Sequence, residues 1–135
     1  MLSKTVFITA TQFKNLHDAP QILVPSPGNG RILVAFKAVL QPLFGTTPYT
    51  GGSLPHIQLG PPSYEYNPLV FSTAGVNHNP TPFLEAEPTT PDDVWGELTI
   101  IENTPLILHV EGADYATGDA DFYCTVWYQV APIFP

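Results

Sequence analysis

Charge is scarce in this chain, and most of it has one sign. Charged residues make up 12% of the 135 residues, about half of the roughly 25% that is usual in soluble domains. Four lysines and arginines stand against 12 acids, so the formal net charge is −8. Nucleic-acid binding needs clustered Lys and Arg to neutralise phosphates, so we expect no nucleic-acid partner. A surface with so few charges suits contact with other proteins.

The few charges are also divided along the chain. All four basic residues lie in the first 37 positions, and of the 12 acids only Asp18 precedes Glu65. Copies packed head to tail could pair a basic early part with an acidic late part. The alternative explanation, which we favour, is that the charges simply avoid the core.

Cysteine pairs, long apolar runs and catalytic motifs are missing too. The single cysteine, Cys124, excludes an internal disulfide and is compatible with a reducing cytoplasm. The longest apolar run, Ile32 to Phe36, is too short to span a membrane, and we expect neither a signal peptide nor membrane association. The chain has no G-x-S-x-G motif, no phosphate-binding glycine loop and no H-x-H or H-x-x-x-H spacing. We therefore predict a protein that is not an enzyme and that holds no metal or cofactor.

Proline and glycine are abundant and set the fold class. Sixteen Pro and ten Gly exclude long helices and favour short strands joined by turns. Alternating patterns predict strands over residues 3–9, 21–25, 31–41, 55–60, 69–73, 95–101, 105–111 and 121–131, with loops over 44–55 and 75–91. Thr9 and Gln12 have capping-box spacing, which predicts one short helix over residues 10–16.

These elements predict the architecture of a single domain over residues 1–135. No strand–helix–strand alternation is present, which excludes the doubly wound and barrel α/β classes. We predict an all-β fold, an antiparallel β-sandwich with one short N-terminal helix. The long crossing loops favour a jelly roll.

The acidic residues leave two chemical alternatives open. Asp114, Asp119 and Asp121 lie in one connection and could hold calcium, although their spacing does not fit an EF-hand and turn geometry explains them better. Two further pairs could act as the carboxylates of a small glycoside hydrolase, but prolines around them indicate an exposed loop that would raise neither pKa. These pairs are Glu85 with Glu87, and Asp92 with Asp93.

Aromatic residues are the remaining binding candidates. Several lie in or beside predicted loops: Tyr49, Tyr64, Tyr66, Phe83, Trp95 and Tyr115. Exposed rings could stack on sugars or anchor a protein interface, and the interface needs no special spacing, so we favour it. The predicted interface residues are Phe7, Phe13, Phe83, Trp95, Tyr123 and Trp127.

Two stretches, one near each end of the chain, carry a family resemblance. The first is ITATQFKNLH at residues 8–17, followed by ILVP at 22–25, PGNG at 27–30 and ILVA at 32–35. The second is ENTPLIL at 102–108, followed by GAD at 112–114, TGD at 117–119 and TVWY at 125–128. Together they resemble small virion proteins of tailed bacteriophages; residues 44–91 match no family pattern.

The resemblance implies a structural role in a virus particle. It implies a jelly-roll virion protein, homotrimeric, made in the host cytoplasm and carried on the capsid surface. We expect a capsid cement or decoration protein that binds and bridges subunits of the major capsid protein. The alternative is a tail or fibre receptor-binding domain that recognises cell-surface carbohydrate. No catalytic residue carries over from the family.

Overall fold

Strands dominate the part of the chain that the structure describes. The computed structural model describes residues 1–43, 45–52, 55–60, 69–71, 84–88 and 102–133. Within these ranges no helix is long and apolar enough to cross a membrane. The described elements are β1 (Leu2–Ile8), α1 (Ala10–Lys14), β2 (Gln21–Val24), β3 (Arg31–Pro42), β4 (Pro55–Leu59), β5 (Leu69–Val70), β6 (Leu84–Glu85), β7 (Glu87–Pro88), β8 (Leu106–Val110) and β9 (Phe122–Pro132).

The strands form two antiparallel sheets with the strand order of a jelly roll. One sheet has the order β1-β9-β3-β6, and the other β2-β8-β4-β5-β7. The pairs are nested, β1 with β9, β2 with β8, β3 with β6 and β4 with β5, and successive pairs alternate between the sheets. Nested pairing of this kind, folded into two facing sheets, characterises a jelly roll. The predicted all-β sandwich is confirmed.

The segment from residue 84 to residue 88 passes from one sheet to the other. Its first half, β6, pairs with β3, and its second half, β7, pairs with β5. Between them Ala86 is buried and donates its backbone N–H to Ala38 O at 2.9 Å. The prediction of a continuous loop over 75–91 is therefore wrong at these residues, because a two-residue strand is too short to show periodicity. The strand predicted over 95–101 lies outside the described residues.

The short helix starts as the capping box predicts. Thr9 Oγ1 accepts the N–H of Gln12 at 3.2 Å, and Gln12 Oε1 accepts the N–H of Thr9 at 3.0 Å. This reciprocal pair satisfies two amides at the helix start that would otherwise lack partners. The helix carries Phe13 into the core, where its ring stacks on Phe122 with centroids 4.2 Å apart. The helix thus fastens the end of β1 to the start of β9.

The two sheets differ in how their outward faces are covered. In the five-stranded sheet, β4 and β8 are buried at every position, so both faces of these strands are covered. In the four-stranded sheet, β9 alternates, with Phe122, Cys124 and Val126 buried and Tyr123 exposed. The outward face of the four-stranded sheet is therefore where the described residues offer side chains to a partner.

Candidate functional site

The candidate site lies on the outward face of the four-stranded sheet. Strand β9 lies between β1 and β3, and cross-strand partners in an antiparallel pair project to the same side. The register places Phe7 opposite Tyr123, Thr5 opposite Thr125, and Lys37 opposite Trp127. We call this group the outer aromatic face: Thr5, Phe7, Lys37, Tyr123, Thr125 and Trp127.

The geometry of the outer aromatic face is that of a mostly apolar contact surface. The rings of Phe7 and Tyr123 are tilted by 56°, with centroids 5.3 Å apart, and remain 47% and 41% exposed. The adjoining cross-strand pair is polar, with Thr5 Oγ1 and Thr125 Oγ1 at a hydrogen-bonding distance of 2.8 Å. Lys37 Nζ lies 5.5 Å from the centre of the Trp127 ring, within the range of a cation–π interaction. Large rings flanked by single hydroxyl and ammonium groups suit binding to a protein surface.

Three of the six predicted interface residues come together here. Phe7, Tyr123 and Trp127 belong to the outer aromatic face, where Phe7 and Tyr123 are exposed and Trp127 is half-buried. Phe83 and Trp95 lie outside the described residues. The prediction for Phe13 is wrong, because its side chain is fully buried between rings of the core.

Two of the loop tyrosines are likewise core residues. Tyr49 and Tyr115 are buried, and their rings lie 4.8 Å and 5.6 Å from that of Phe13. Their placement beside glycine and proline suggested exposure, but the two loops fold back over α1. Burial raises the pKa of both phenols well above the usual range. The residues around Tyr49 and Tyr115 in the chain do not predict this burial, because both rings contact Phe13, which lies more than thirty positions away.

The three aspartates Asp114, Asp119 and Asp121 each bind a different stretch of backbone. No group of three His, Cys, Asp or Glu residues in the described ranges is arranged to hold a metal ion. Each carboxylate accepts hydrogen bonds from the amides of a different segment, which supports turn geometry over calcium binding. Asp121 accepts from Ala10 N at 2.7 Å, Asp114 from His17 N and Asp18 N at 3.0 and 3.1 Å, and Asp119 from Thr46 N and Thr47 N at 2.8 Å.

Three histidines far apart in sequence meet at β8. His109 Nδ1 lies 3.2 Å from His56 Nε2, which lies 3.0 Å from Gln58 Oε1, and the His17 ring stacks on His109 at 5.7 Å. His17 Nδ1 also lies 2.9 Å from Val110 O, so the loop after α1 is held on β8. Burial first, and then the rings of His56 and His17, lower the pKa of His109. His109 therefore favours the neutral imidazole, and the three rings act as a structural polar network.

The histidine group could not be predicted from the sequence, because His17, His56 and His109 share no short spacing. His56 and His109 are direct cross-strand partners of β4 and β8. A correct strand register would have found that pair, whereas His17 joins it from a loop.

Cys124, predicted as a small core residue, is fully buried, and burial raises the pKa of its thiol to about 12. A thiol held neutral in this way is a poor nucleophile.

Comparison with known proteins adds no relative. No family model, no curated protein and no solved structure matches the chain.

Proposed function

We propose that this chain is a non-enzymatic structural protein of a virus particle, a capsid cement or decoration protein. The outer aromatic face would dock on the major capsid protein. The observation that carries the proposal is the exposed pair Phe7 and Tyr123, on a sheet face that the described chain leaves open. Tyr, Trp and Phe are enriched at protein interfaces because rigid rings bury much area at little entropic cost.

Charge and fold support a protein partner over other classes. A chain with a net charge of −8 and only four basic residues is repelled by nucleic-acid phosphates. The described side chains that could do chemistry, the histidines, the aspartates and Cys124, are engaged in the fold or buried. The jelly-roll architecture agrees with the virion family that the end segments resemble. A homotrimer on the capsid would engage several sites at once, and effective concentration would convert modest contacts into tight binding.

The test measures mass and binding with the purified protein. Light scattering gives its mass alone, and a trimer of 14.7 kDa chains has a mass of about 44 kDa. Co-sedimentation with capsids of the encoding virus, assembled without this protein, gives the affinity and the number of bound copies. We expect saturation at a fixed ratio and a higher melting temperature of the loaded capsids. A protein that does not sediment with these capsids would refute the proposal.

A matched pair of variants locates the contact. Tyr123→Ala removes an exposed ring of the outer aromatic face, and the loss of such an anchor costs about 2 kcal/mol or more, roughly a thirtyfold lower affinity. Ile22→Ala removes an exposed side chain from β2 of the other sheet, outside the outer aromatic face, and should change affinity little. Equal effects of the two variants would exclude the outer aromatic face as the contact. Binding to a glycan array that depends on Tyr123, without binding to capsids, would support the receptor-binding alternative.

A further inference from the structure

Within the described residues, strand β1 is an open sheet edge. It is the terminal strand of the four-stranded sheet and pairs with β9 along one side only. Five of its seven residues are exposed: Leu2, Ser3, Lys4, Thr5 and Phe7. Along a free edge, every second residue directs its backbone N–H and C=O outward, and an extended strand is the partner that matches this repeat.

Among the edge strands of the described sheets, β1 is the longest and the most regular. Its register with β9 runs unbroken from Leu2 to Ile8, and the strand has no proline or glycine. Strand β2, at the neighbouring edge, has a register shift between Ile22 and Val24 and is followed by Pro25. Strands β6 and β7 at the opposite edges are two residues long each. Short length, bulges, prolines and charged side chains, lysine above all, protect edges from pairing. Strand β1 has one of these, Lys4, so the register of any pairing must keep the ammonium group away from a like charge.

We propose that β1 pairs with β1 of a second copy of this chain, antiparallel and about a two-fold axis through Thr5. The strand spans residues 2–8, so its midpoint is Thr5 and this register overlaps the whole strand. An antiparallel pair of identical strands is closed by a two-fold axis, so the edge is its own complement. The four-stranded sheets of two copies would join into one continuous sheet.

Charge and side-chain contacts select this register over its neighbours. With the axis at Thr5, Lys4 faces Val6 of the second copy, whereas an axis at Lys4 would place the two ammonium groups opposite each other. Shifting the axis to Lys4 or Val6 also shortens the overlap of the two strands. Leu2, which is 52% exposed, would face the end of the opposite β1.

The size of the edge determines how strong the contact is. Seven residues extend about 23 Å, and the two sheets lie about 10 Å apart, so the contact buries on the order of 200 Å² per copy. Stable interfaces bury about 800 Å² per partner. Pairing is therefore weak for the free protein and is favoured where copies are concentrated. The contact is two-fold, so it would link free chains or members of neighbouring trimers equally well.

Engineered cysteines test the contact and its register together. In the paired strands the Cα atoms of the two Thr5 residues lie about 4.5–5.5 Å apart, a separation that a disulfide spans. Thr5→Cys should therefore give a covalent dimer under mild oxidation, seen on a non-reducing denaturing gel. The control is Thr125→Cys, the cross-strand partner of Thr5 on the same face. Its two copies would lie three strand spacings apart, about 14 Å, which is too far to bridge.

Two readouts keep the test decisive. Maleimide labelling establishes that both cysteines are accessible, and the native Cys124 is buried and does not compete. Thr5→Lys, which places like charges opposite each other, should weaken self-association at least tenfold in sedimentation equilibrium, whereas Thr125→Lys should not. Equal disulfide yields from the two cysteine variants, or self-association unaffected by Thr5→Lys, would overturn the proposal. Neither experiment uses capsids, so the proposed function can fail while this inference stands, and the reverse.

Discussion

The role of Phe13 provides the sharpest test of the fold, because the sequence predicted an interface residue and the structure buries it. Its side chain is 0% exposed and its ring contacts those of Phe122, Tyr49 and Tyr115 at 4.2, 4.8 and 5.6 Å. Replacing a buried Phe by Ala costs about 3–5 kcal/mol, from lost burial and from the cavity that remains. Since domains are stable by about 5–15 kcal/mol, Phe13→Ala should lose a large part of the total.

The assay is urea unfolding followed by tryptophan fluorescence, with Phe7→Ala as the matched control. Phe13→Ala should lower the unfolding midpoint with little change in slope, and lower the melting temperature by roughly 10–15 °C. Phe7→Ala removes the same ring from an exposed site, where substitutions usually change stability by less than about 0.5 kcal/mol, plus at most about 1 kcal/mol for its cross-strand pair. Equal destabilisation by the two variants would refute the assignment of Phe13 to the core.

Three further predictions follow from the buried and clamped groups. Hydrogen bonds from the Thr46 side chain first, and then from Thr47, lower the pKa of Asp119. These hydrogen bonds therefore stabilise the folded loop above the unfolded pKa of about 3.8 and weaken as the pH falls below it. Hydrogen exchange should show protected Thr46 and Thr47 amides at neutral pH, and Asp119→Ala should abolish that protection. His109 has a lowered pKa, so folding stability should fall as pH drops below about 6.5; urea midpoints at pH 7.5 and 5.5 should differ less in His109→Gln than in the parent. Cys124 should react with a thiol reagent only after unfolding, and rapid labelling of the folded protein would contradict its burial.

Local patterns account for the parts of the fold that the sequence predicted correctly. Alternation along β3 and β9 and the Thr9–Gln12 capping box are contained within a few residues, so they can be read without knowledge of neighbours. Cys124 was placed in the core for the same reason, since it alternates in phase with Phe122 and Val126. The sandwich followed from strand number and the absence of long helices.

Contacts between distant segments account for what the sequence missed. Phe13 and Tyr49 were assigned to the surface because nothing near them in the chain shows that the two rings meet. The histidine group depends on the register of β4 against β8, which alternation within one strand does not specify. For the candidate site, the same limit applied: Phe7, Tyr123 and Trp127 were named individually, and only the pairing of β1, β9 and β3 shows that they share a face with Lys37.

The two sheets differ in what their outward faces expose, and this difference explains why the proposed contacts use the four-stranded sheet. On the five-stranded sheet, His56 and His109 are buried partners of one another and have no free surface to offer. On the four-stranded sheet, Phe7 and Tyr123 contribute at most about 1 kcal/mol to folding as an exposed cross-strand pair, so polar residues would serve the fold nearly as well. The proposed binding role would account for their presence. Side chains of this face point along the normal of the sheet, whereas the backbone groups of β1 that no described strand pairs with point within its plane. The two proposals are therefore compatible, since a capsid subunit on the outer aromatic face would leave the β1 edge accessible to a second copy.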